Sequence, residues 1–240
     1  DRLRSRGLGD VYKRQALAAV GSCVALVGIF VNLIVGFSVG PNAVLANLIG
    51  QKRRDKINRM LHTIMAFGLI AGVILMGLGM LSAKPILEVS GTPESVMNEA
   101  LLYIRIYFIG IPFMMIYNFG SAVLRSFGDT RRPMYYLILS GTVNVILNLI
   151  LVIYFKLGVA GVAIATVISN ILSAGLVLIY LYRREDEFQF RPQRLHIEKE
   201  DLKKVLVIGI PAGIQGAIFS ISNVLSLIHI SEPTRPEPIS

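Results

Sequence analysis

Four polar side chains lie within two long apolar stretches of the sequence. Asn144 and Asn148 are four residues apart, and so are Thr166 and Asn170, so each pair occupies one face of its stretch if the stretch is helical. The connection at 156–159 is short, which predicts that the two helices are antiparallel neighbours. Counted from that connection, Asn148 and Thr166 lie at one depth, about 10 Å from the helix ends, and Asn144 and Asn170 at another, about 16 Å.

Amide and hydroxyl oxygens can coordinate a small cation or bind a polar substrate. The four side chains therefore predict part of a coordination shell, or a set of hydrogen bonds to a substrate in a cavity. The alternative is that they only join two helices, a contribution of about 0.6 kcal/mol per hydrogen bond in a membrane protein.

Four further residues are candidates for a cavity or a hinge: Arg105, Pro112, Pro211 and Gln215. Pro112 removes a backbone donor deep within a predicted helix and should kink it, and Pro211 should open the last helix in a similar way. Gln215 lies on the next turn, where it either faces a cavity or packs. Arg105 is expected a few residues into its helix, where it either snorkels to the outer headgroups or lines a cavity.

Catalytic chemistry has little support. The apolar stretches contain no Asp or Glu, so they offer neither a carboxylate proton relay nor an acid–base pair. A single Cys excludes an internal disulfide, and His62 and His196 lie far from it in the sequence, so no metal site is predicted. We therefore expect a protein that is not an enzyme and that has no cofactor.

The elements that must position these residues are membrane helices. The chain has 240 residues, of which 54% are hydrophobic and only 16% charged, and its mean hydropathy is +0.64, which excludes an ordinary soluble domain. Runs that are uncharged apart from Arg125 cover 15–51, 60–83, 106–128, 133–155, 157–182 and 205–231, each long enough for the roughly 20 residues that cross a bilayer. They predict an all-α polytopic membrane protein with about six transmembrane helices, the first bent or ended near Pro41.

The net charge of +9 belongs to the loops, so it does not indicate nucleic acid binding. Basic residues crowd the first, third and fifth connections, whereas the second carries mainly Glu. Since Lys and Arg accumulate in cytoplasmic loops, the basic connections are predicted to be cytoplasmic and the first helix to start outside. The basic residues before Gln15 violate that orientation. Segments 1–15 and 227–240 resemble translated sequencing-adapter sequence, and we expect them to be foreign tails.

Several motifs carry a family resemblance, in the order ALAAVG, GQKRRD, LEVSGTPESV, YIRIYFIGIPFMMIYNFGSAVLRSFGDTRRPM and VIGIPAGIQ. In this order they resemble the multidrug and toxic compound extrusion (MATE) transporters, which consist of two pseudosymmetric six-helix lobes. The resemblance implies that 16–182 form most of the N-terminal lobe, family helices two to six. It further implies that 183–204 form the cytoplasmic linker between lobes and that 205–226 begin the second lobe. The first family helix is expected to be absent, and the chain to be a truncated, inactive fragment.

The same resemblance implies a secondary multidrug exporter, in which influx of Na⁺ or H⁺ drives expulsion of organic, often cationic, compounds by alternating access. It implies a monomer when full length, surrounded by lipid in a bacterial or archaeal cell membrane. In some family members the positions matching Asn144, Asn148 and Thr166 hold Asn, Asp and Thr and form a cation site with an Asp of the first helix. Asn148 departs from that pattern. The alternatives are a lipid-linked oligosaccharide flippase of the same superfamily and a membrane-embedded enzyme.

Overall fold

The computed structural model describes residues 27–89, 92–185 and 188–231, with side chains up to residue 220 and at 222. No strand occurs within these ranges. The predicted tail 1–15 and the last nine residues of the predicted tail 227–240 lie outside them. The helices are α1 (Val27–Gly50, with a turn at Ser38), α2 (Arg54–Val89), α3 (Glu94–Ile109), α4 (Ile111–Ser126), α5 (Arg131–Leu149), α6 (Gly158–Arg183) and α7 (Lys199–Ser231).

Six membrane crossings are consistent with these helices. Five of them, α1, α2, α5 with its continuation to Tyr154, α6 and α7, are individually long and apolar enough to cross a bilayer. The sixth crossing consists of α3 and α4 together, which meet at a bend of 40°. The predicted all-α polytopic fold is confirmed.

The bend between α3 and α4 falls where the sequence predicted a kink. Because Pro112 has no backbone N–H, the helix cannot continue its hydrogen bonding through this position without interruption; α3 ends at Ile109 and α4 begins at Ile111. The α4 side of the break packs closely on α2, since a Cβ added to Gly72 would lie 2.7 Å from Pro112 Cα. The bend is therefore held within the bundle.

The last helix differs from its prediction. It begins at Lys199, six residues before the predicted start, and continues through Pro211 without a break. Close packing of α7 on α1 explains why the helix continues through Pro211, because Gly209 and Gly213 lie directly against Phe37. Contacts with a neighbouring helix can support a proline within a membrane helix. The connection between α6 and α7 is accordingly shorter than the predicted linker 183–204.

The core lies where α2 meets α3 and α4. Phe108 and Phe119 are almost fully buried there, and each fits against a glycine of α2: a Cβ on Gly79 would lie 2.0 Å from the Phe108 ring, and one on Gly68 2.3 Å from the Phe119 ring. Small residues let membrane helices approach closely, which replaces the hydrophobic driving force that lipid does not supply. α5, by contrast, buries only Pro133 and Ser140 and presents apolar side chains outward.

The three basic connections lie at one end of the bundle. Arg59 of α2 forms an ion pair with Asp201 of α7 at 3.0 Å. Arg132, at the start of α5, lies over the Tyr180 ring near the end of α6. The shared end agrees with the alternation of loop charge in the sequence.

Candidate functional site

A tight turn brings α5 and α6 together as antiparallel neighbours, as predicted. Lys156 and Gly158 both adopt the left-handed conformation, with φ of 54°, and Gly158 does so without a steric cost. Before this turn the continuation of α5, Ile150–Tyr154, forms a π-helical segment. A π-helix bonds residue i to i+5 instead of i+4, so it shifts by about one residue the register in which the two helices face each other.

The facing surfaces carry a connected set of hydrogen bonds, which we call the polar cluster: Asn144, Asn148, Thr166 and Ser169. Asn144 Nδ2 donates to Ser169 Oγ at 3.2 Å and lies 3.4 Å from Thr166 Oγ1. Asn148 Nδ2 donates to Asn144 Oδ1 at 3.0 Å. One asparagine therefore spans the two helices and the other extends the set along α5.

The direction of each bond in the polar cluster follows from the hydroxyl groups. Thr166 Oγ1 donates to Val162 O at 3.0 Å and Ser169 Oγ to Thr166 O at 2.9 Å, so both oxygens can only accept from Asn144. Because both hydroxyl oxygens accept, the Nδ2 of Asn144 must point toward α6 and its Oδ1 toward Asn148. The Nδ2 of Asn148 must then be the donor to that oxygen. Asn148 Oδ1 is left buried, with no hydrogen-bond partner in the described part of the chain.

The pairing differs from the one predicted by counting residues. Asn144 contacts Thr166 and Ser169, whereas equal depth predicted Asn148 opposite Thr166 and Asn144 opposite Asn170. The π-helical segment accounts for the contact of Asn144 with Ser169 in place of Asn170, because the count assumed a regular α-helix up to the turn. Ser169 was missed in the sequence. Its signal was its spacing of three residues from Thr166, which places it on the same face of α6.

Asn170 lies on a different side of α6, against the break between α3 and α4. Its Nδ2 would be 3.1 Å from a Cβ added to Gly110, the residue that separates the two helices. The structure therefore brings three of the four predicted polar residues into one cluster and places the fourth at the bend.

The predicted cavity and hinge residues lie apart from the polar cluster. Pro112 is buried at the bend, whereas Pro211 and Gln215 are exposed on α7. Arg105 is exposed on α3, eleven residues after Glu94, so it lies farther from the start of its helix than predicted. The correction arises because α3 begins within a charged segment, well before the uncharged run at 106.

The polar cluster supplies oxygen atoms and no titratable group. An uncompensated buried carbonyl oxygen is costly unless a partner fills the position, and amide and hydroxyl oxygens are ligands of hard cations. Groups of three or more His, Cys, Asp or Glu side chains that could hold a metal ion do not occur among the described residues. The cluster can thus bind a cation through neutral oxygens or accept hydrogen bonds from a substrate.

The carboxylate of Asp129 anchors the start of α5, at the opposite end from the α5–α6 turn. Asp129 Oδ1 accepts the backbone N–H of Arg132 at 3.1 Å, and the two side chains form an ion pair. Burial acts in the opposite direction, but the hydrogen bonds from the side chain and backbone of Arg132, together with its charge, hold the pKa of Asp129 below its usual value. The turn 127–130 is thereby anchored to the start of α5.

Comparison with known proteins places this fold. The chain is 32% identical over 223 residues to the probable multidrug resistance protein YoeA of Bacillus subtilis, which covers 90% of the chain and 48% of that protein. It is 24% identical to the multidrug export protein MepA of Staphylococcus saprophyticus, over 91% of the chain and 48% of MepA. It is 26% identical to the FAD transporter of Shewanella oneidensis, over 90% of the chain and 49% of that transporter. The chain spans about half the length of the curated relatives it matches.

Solved structures show the same fold. The inward-facing structure of a multidrug resistance MATE family transporter of the MOP superfamily matches with a TM-score of 0.78, and the outward-facing structure with 0.80. Each match has 24% identity and covers 87% of this chain, with 48% and 47% of the respective structures. A family model described as MatE matches residues 8–150, which is more than half of the chain. The resemblance noted in the sequence is therefore confirmed, and the chain belongs to the MatE family.

Proposed function

We propose that the protein acts as a lobe of a secondary exporter, which couples influx of a cation to expulsion of organic compounds across the membrane. Alternating access in such transporters is largely a movement of one helical unit against another around a site near the bilayer centre. The family, the polytopic fold and the internal polar cluster support this function. The similar match to inward-facing and outward-facing structures supports a unit that keeps its fold between the two states.

The observation that carries the proposal is the buried, unpaired Oδ1 of Asn148. Polar groups inside a membrane protein are expensive and mark ion or substrate pathways. If the cluster only joined α5 and α6, Asn144 alone would provide the contact across the helices, and Asn148 would add an unsatisfied acceptor at a cost of about 1–3 kcal/mol. A bound cation would satisfy it.

The chemistry of the polar cluster favours a metal cation at this position. Amides and hydroxyls do not titrate near neutral pH, so these four side chains cannot carry a proton between the two sides of the membrane. A monovalent cation such as Na⁺ would bind at the unpaired Oδ1 of Asn148, with further oxygens completing its coordination. The proposal assigns Na⁺ coupling to this cluster.

The substrates proposed are amphipathic organic compounds. Relatives are named for multidrug export and for FAD transport, so the family includes more than one substrate class. A flippase for lipid-linked oligosaccharides would need cationic side chains at the site to bind pyrophosphate, and the polar cluster contains none. The proposal places the protein in a bacterial or archaeal cell membrane as a monomer, with its basic loops in the cytoplasm.

Export by a chimera tests this function. The segment of YoeA that the chain matches is replaced by the corresponding residues of this chain, and Na⁺-driven dye export is measured in proteoliposomes. Asn148→Ala should abolish Na⁺-dependent export, whereas Asn118→Ala should not, because the Asn118 side chain donates to Met114 O within its own helix. Undiminished export in the Asn148→Ala chimera would assign that residue to packing.

A further inference from the structure

A buried histidine joins α2 to the segment that leads into α7. His62 is 1% exposed, and it contacts the linker, which we define as residues 188–198. The backbone N–H of Arg191 donates to His62 Nε2 at 3.1 Å, and the imidazole stacks on Phe190 with the ring centroids 5.6 Å apart. The ring of His196 stacks at 6.2 Å.

Other contacts hold the linker at both ends. Thr63 Oγ1 accepts the N–H of Glu198 at 3.3 Å, and the N–H of Phe190 donates to Leu181 O at 3.0 Å. Just beyond the linker, Asp201 is 1% exposed and is engaged by Arg59 at 3.0 Å and by Lys204 at 3.2 Å. The linker is thus docked along α2.

The hydrogen bonds of His62 admit one form of the ring. Nδ1 lies 2.8 Å from Asn58 O, which can only accept, so Nδ1 carries the hydrogen; Nε2 accepts from Arg191 and therefore has none. This tautomer is assigned from its partners. A proton added at Nε2 would face the N–H of Arg191 donor to donor and break that bond.

The surrounding charges act in the same direction. The titratable and charged groups that act on the ring are His196 and Arg194 of the linker. Asp201, a carboxylate at the start of α7, is already engaged by Arg59 and Lys204. A cationic His62 would therefore meet a positive neighbour and lose its hydrogen bond.

We propose that His62 and the linker form a proton-sensitive latch, closed while the imidazole is neutral and released when it is protonated. The latch lies at the basic end of the bundle, where it ties the start of α7 to α2. It responds to the pH at that end and is independent of the cation site proposed above. Release of residues 188–198 would weaken the attachment of the start of α7 to α2, which the ion pair between Arg59 and Asp201 also holds.

Two measurements on the full chain in detergent micelles test the latch. In the first, a nitroxide is attached to the cysteine of the double variant Cys23→Ser, Leu195→Cys. Its spectrum reports the mobility of the linker between pH 8 and pH 4.5. Histidine ring ¹⁵N spectra of the same protein report tautomer and protonation. Only His62, His196 and His229 contribute, and single His→Gln variants assign the signals.

The latch predicts that His62 carries its hydrogen on Nδ1 at pH 8 and that the nitroxide is then immobile. As Nε2 is protonated, the ratio of docked to released linker should fall about tenfold. His62→Gln should remove the mobility step, because a glutamine amide can bond to Arg191 without titrating. His196→Gln, the matched control, should retain it. A hydrogen on Nε2 at pH 8, a mobility step that does not follow His62 protonation in the wild type, or an unchanged step in a folded His62→Gln protein would overturn the proposal.

Discussion

Asn148 donates a hydrogen bond to Asn144 at 3.0 Å, and in doing so it turns its own carbonyl oxygen away from the available donors. Asn144 is committed to α6 on its other side, so the two amides have different roles although they occupy one face of α5. Asn144 holds the helices together, and Asn148 presents an acceptor that lacks a partner in the described structure.

This difference predicts different outcomes for two alanine variants. Asn144→Ala removes the bonds to Ser169 and Thr166 and should lower the free energy of unfolding by about 0.6–1.7 kcal/mol. Asn148→Ala removes an unsatisfied acceptor, which is favourable, together with the hydrogen bond to Asn144 Oδ1, which is unfavourable. In the absence of Na⁺ the two effects should offset each other to within about 0.5 kcal/mol. Unfolding of the purified protein in mixed micelles measures both. A larger loss for Asn148→Ala would indicate that this side chain is structural.

The glycines of α2 offer a matched test of the core. Gly79→Ala would place a methyl group 2.0 Å from the Phe108 ring and should destabilise the protein by about 1–3 kcal/mol. Gly77→Ala, on the same helix with nothing within 4 Å of the new Cβ, should be neutral or stabilising by up to about 1 kcal/mol. Thermal unfolding of the two variants compares them directly. Equal midpoints would show that α2 and α3 are packed less closely than described.

The anchor at the start of α5 should depend on pH. The pKa of Asp129 is depressed by Arg132, so its contribution to stability is present above the unfolded pKa, near 3.9, and is lost as the pH falls through the lower folded pKa. The Arg132 side chain is half exposed, so solvent screens the ion pair and its contribution is about 1 kcal/mol or less. The difference in unfolding free energy between wild type and Asp129→Asn should be present at pH 7 and should shrink as the pH falls below the unfolded pKa. A difference that persists in acid would rule out the ion pair as its source.

Orientation in the membrane gives a further prediction. In a Cys23→Ser background, a cysteine at Ser95 should react with a membrane-impermeant maleimide added to intact cells, because the second connection is predicted to be external. A cysteine at Arg53, in a basic connection, should react only after the cells are opened. Labelling of Arg53→Cys in intact cells would invert the topology.

Much of the fold followed from the sequence because lipid imposes a simple rule: a long uncharged stretch must be a helix. Helix ends were harder to predict, because the predicted ends were placed where charged residues begin. α2 and α3 extend beyond those points into charged segments that water can solvate. The helix is interrupted next to Pro112, whereas α7 continues through Pro211, where α1 packs against its neighbours Gly209 and Gly213. That contact joins distant parts of the chain and leaves no local signal.

The polar cluster was predicted in part. The spacing of Asn144 and Asn148 placed them correctly on one face, and the short turn at Lys156 made α5 and α6 neighbours. The partners on α6 depended on the π-helical segment before the turn, which hydropathy does not reveal. The docking of the linker on His62 also escaped prediction, because it depends on backbone groups of Arg191 and Asn58.

Binding of Na⁺ to the purified chain tests the central claim most directly. Thermal unfolding is followed in NaCl and in equimolar choline chloride for the wild type, Asn148→Ala and Asn118→Ala. A cation held at Asn148 predicts a stabilisation that grows with Na⁺ and reaches about 1.4 kcal/mol at ten times the Kd, retained in Asn118→Ala and lost in Asn148→Ala. Equal stability in both salts, or the same Na⁺ effect in all three proteins, would contradict a cation site in the polar cluster.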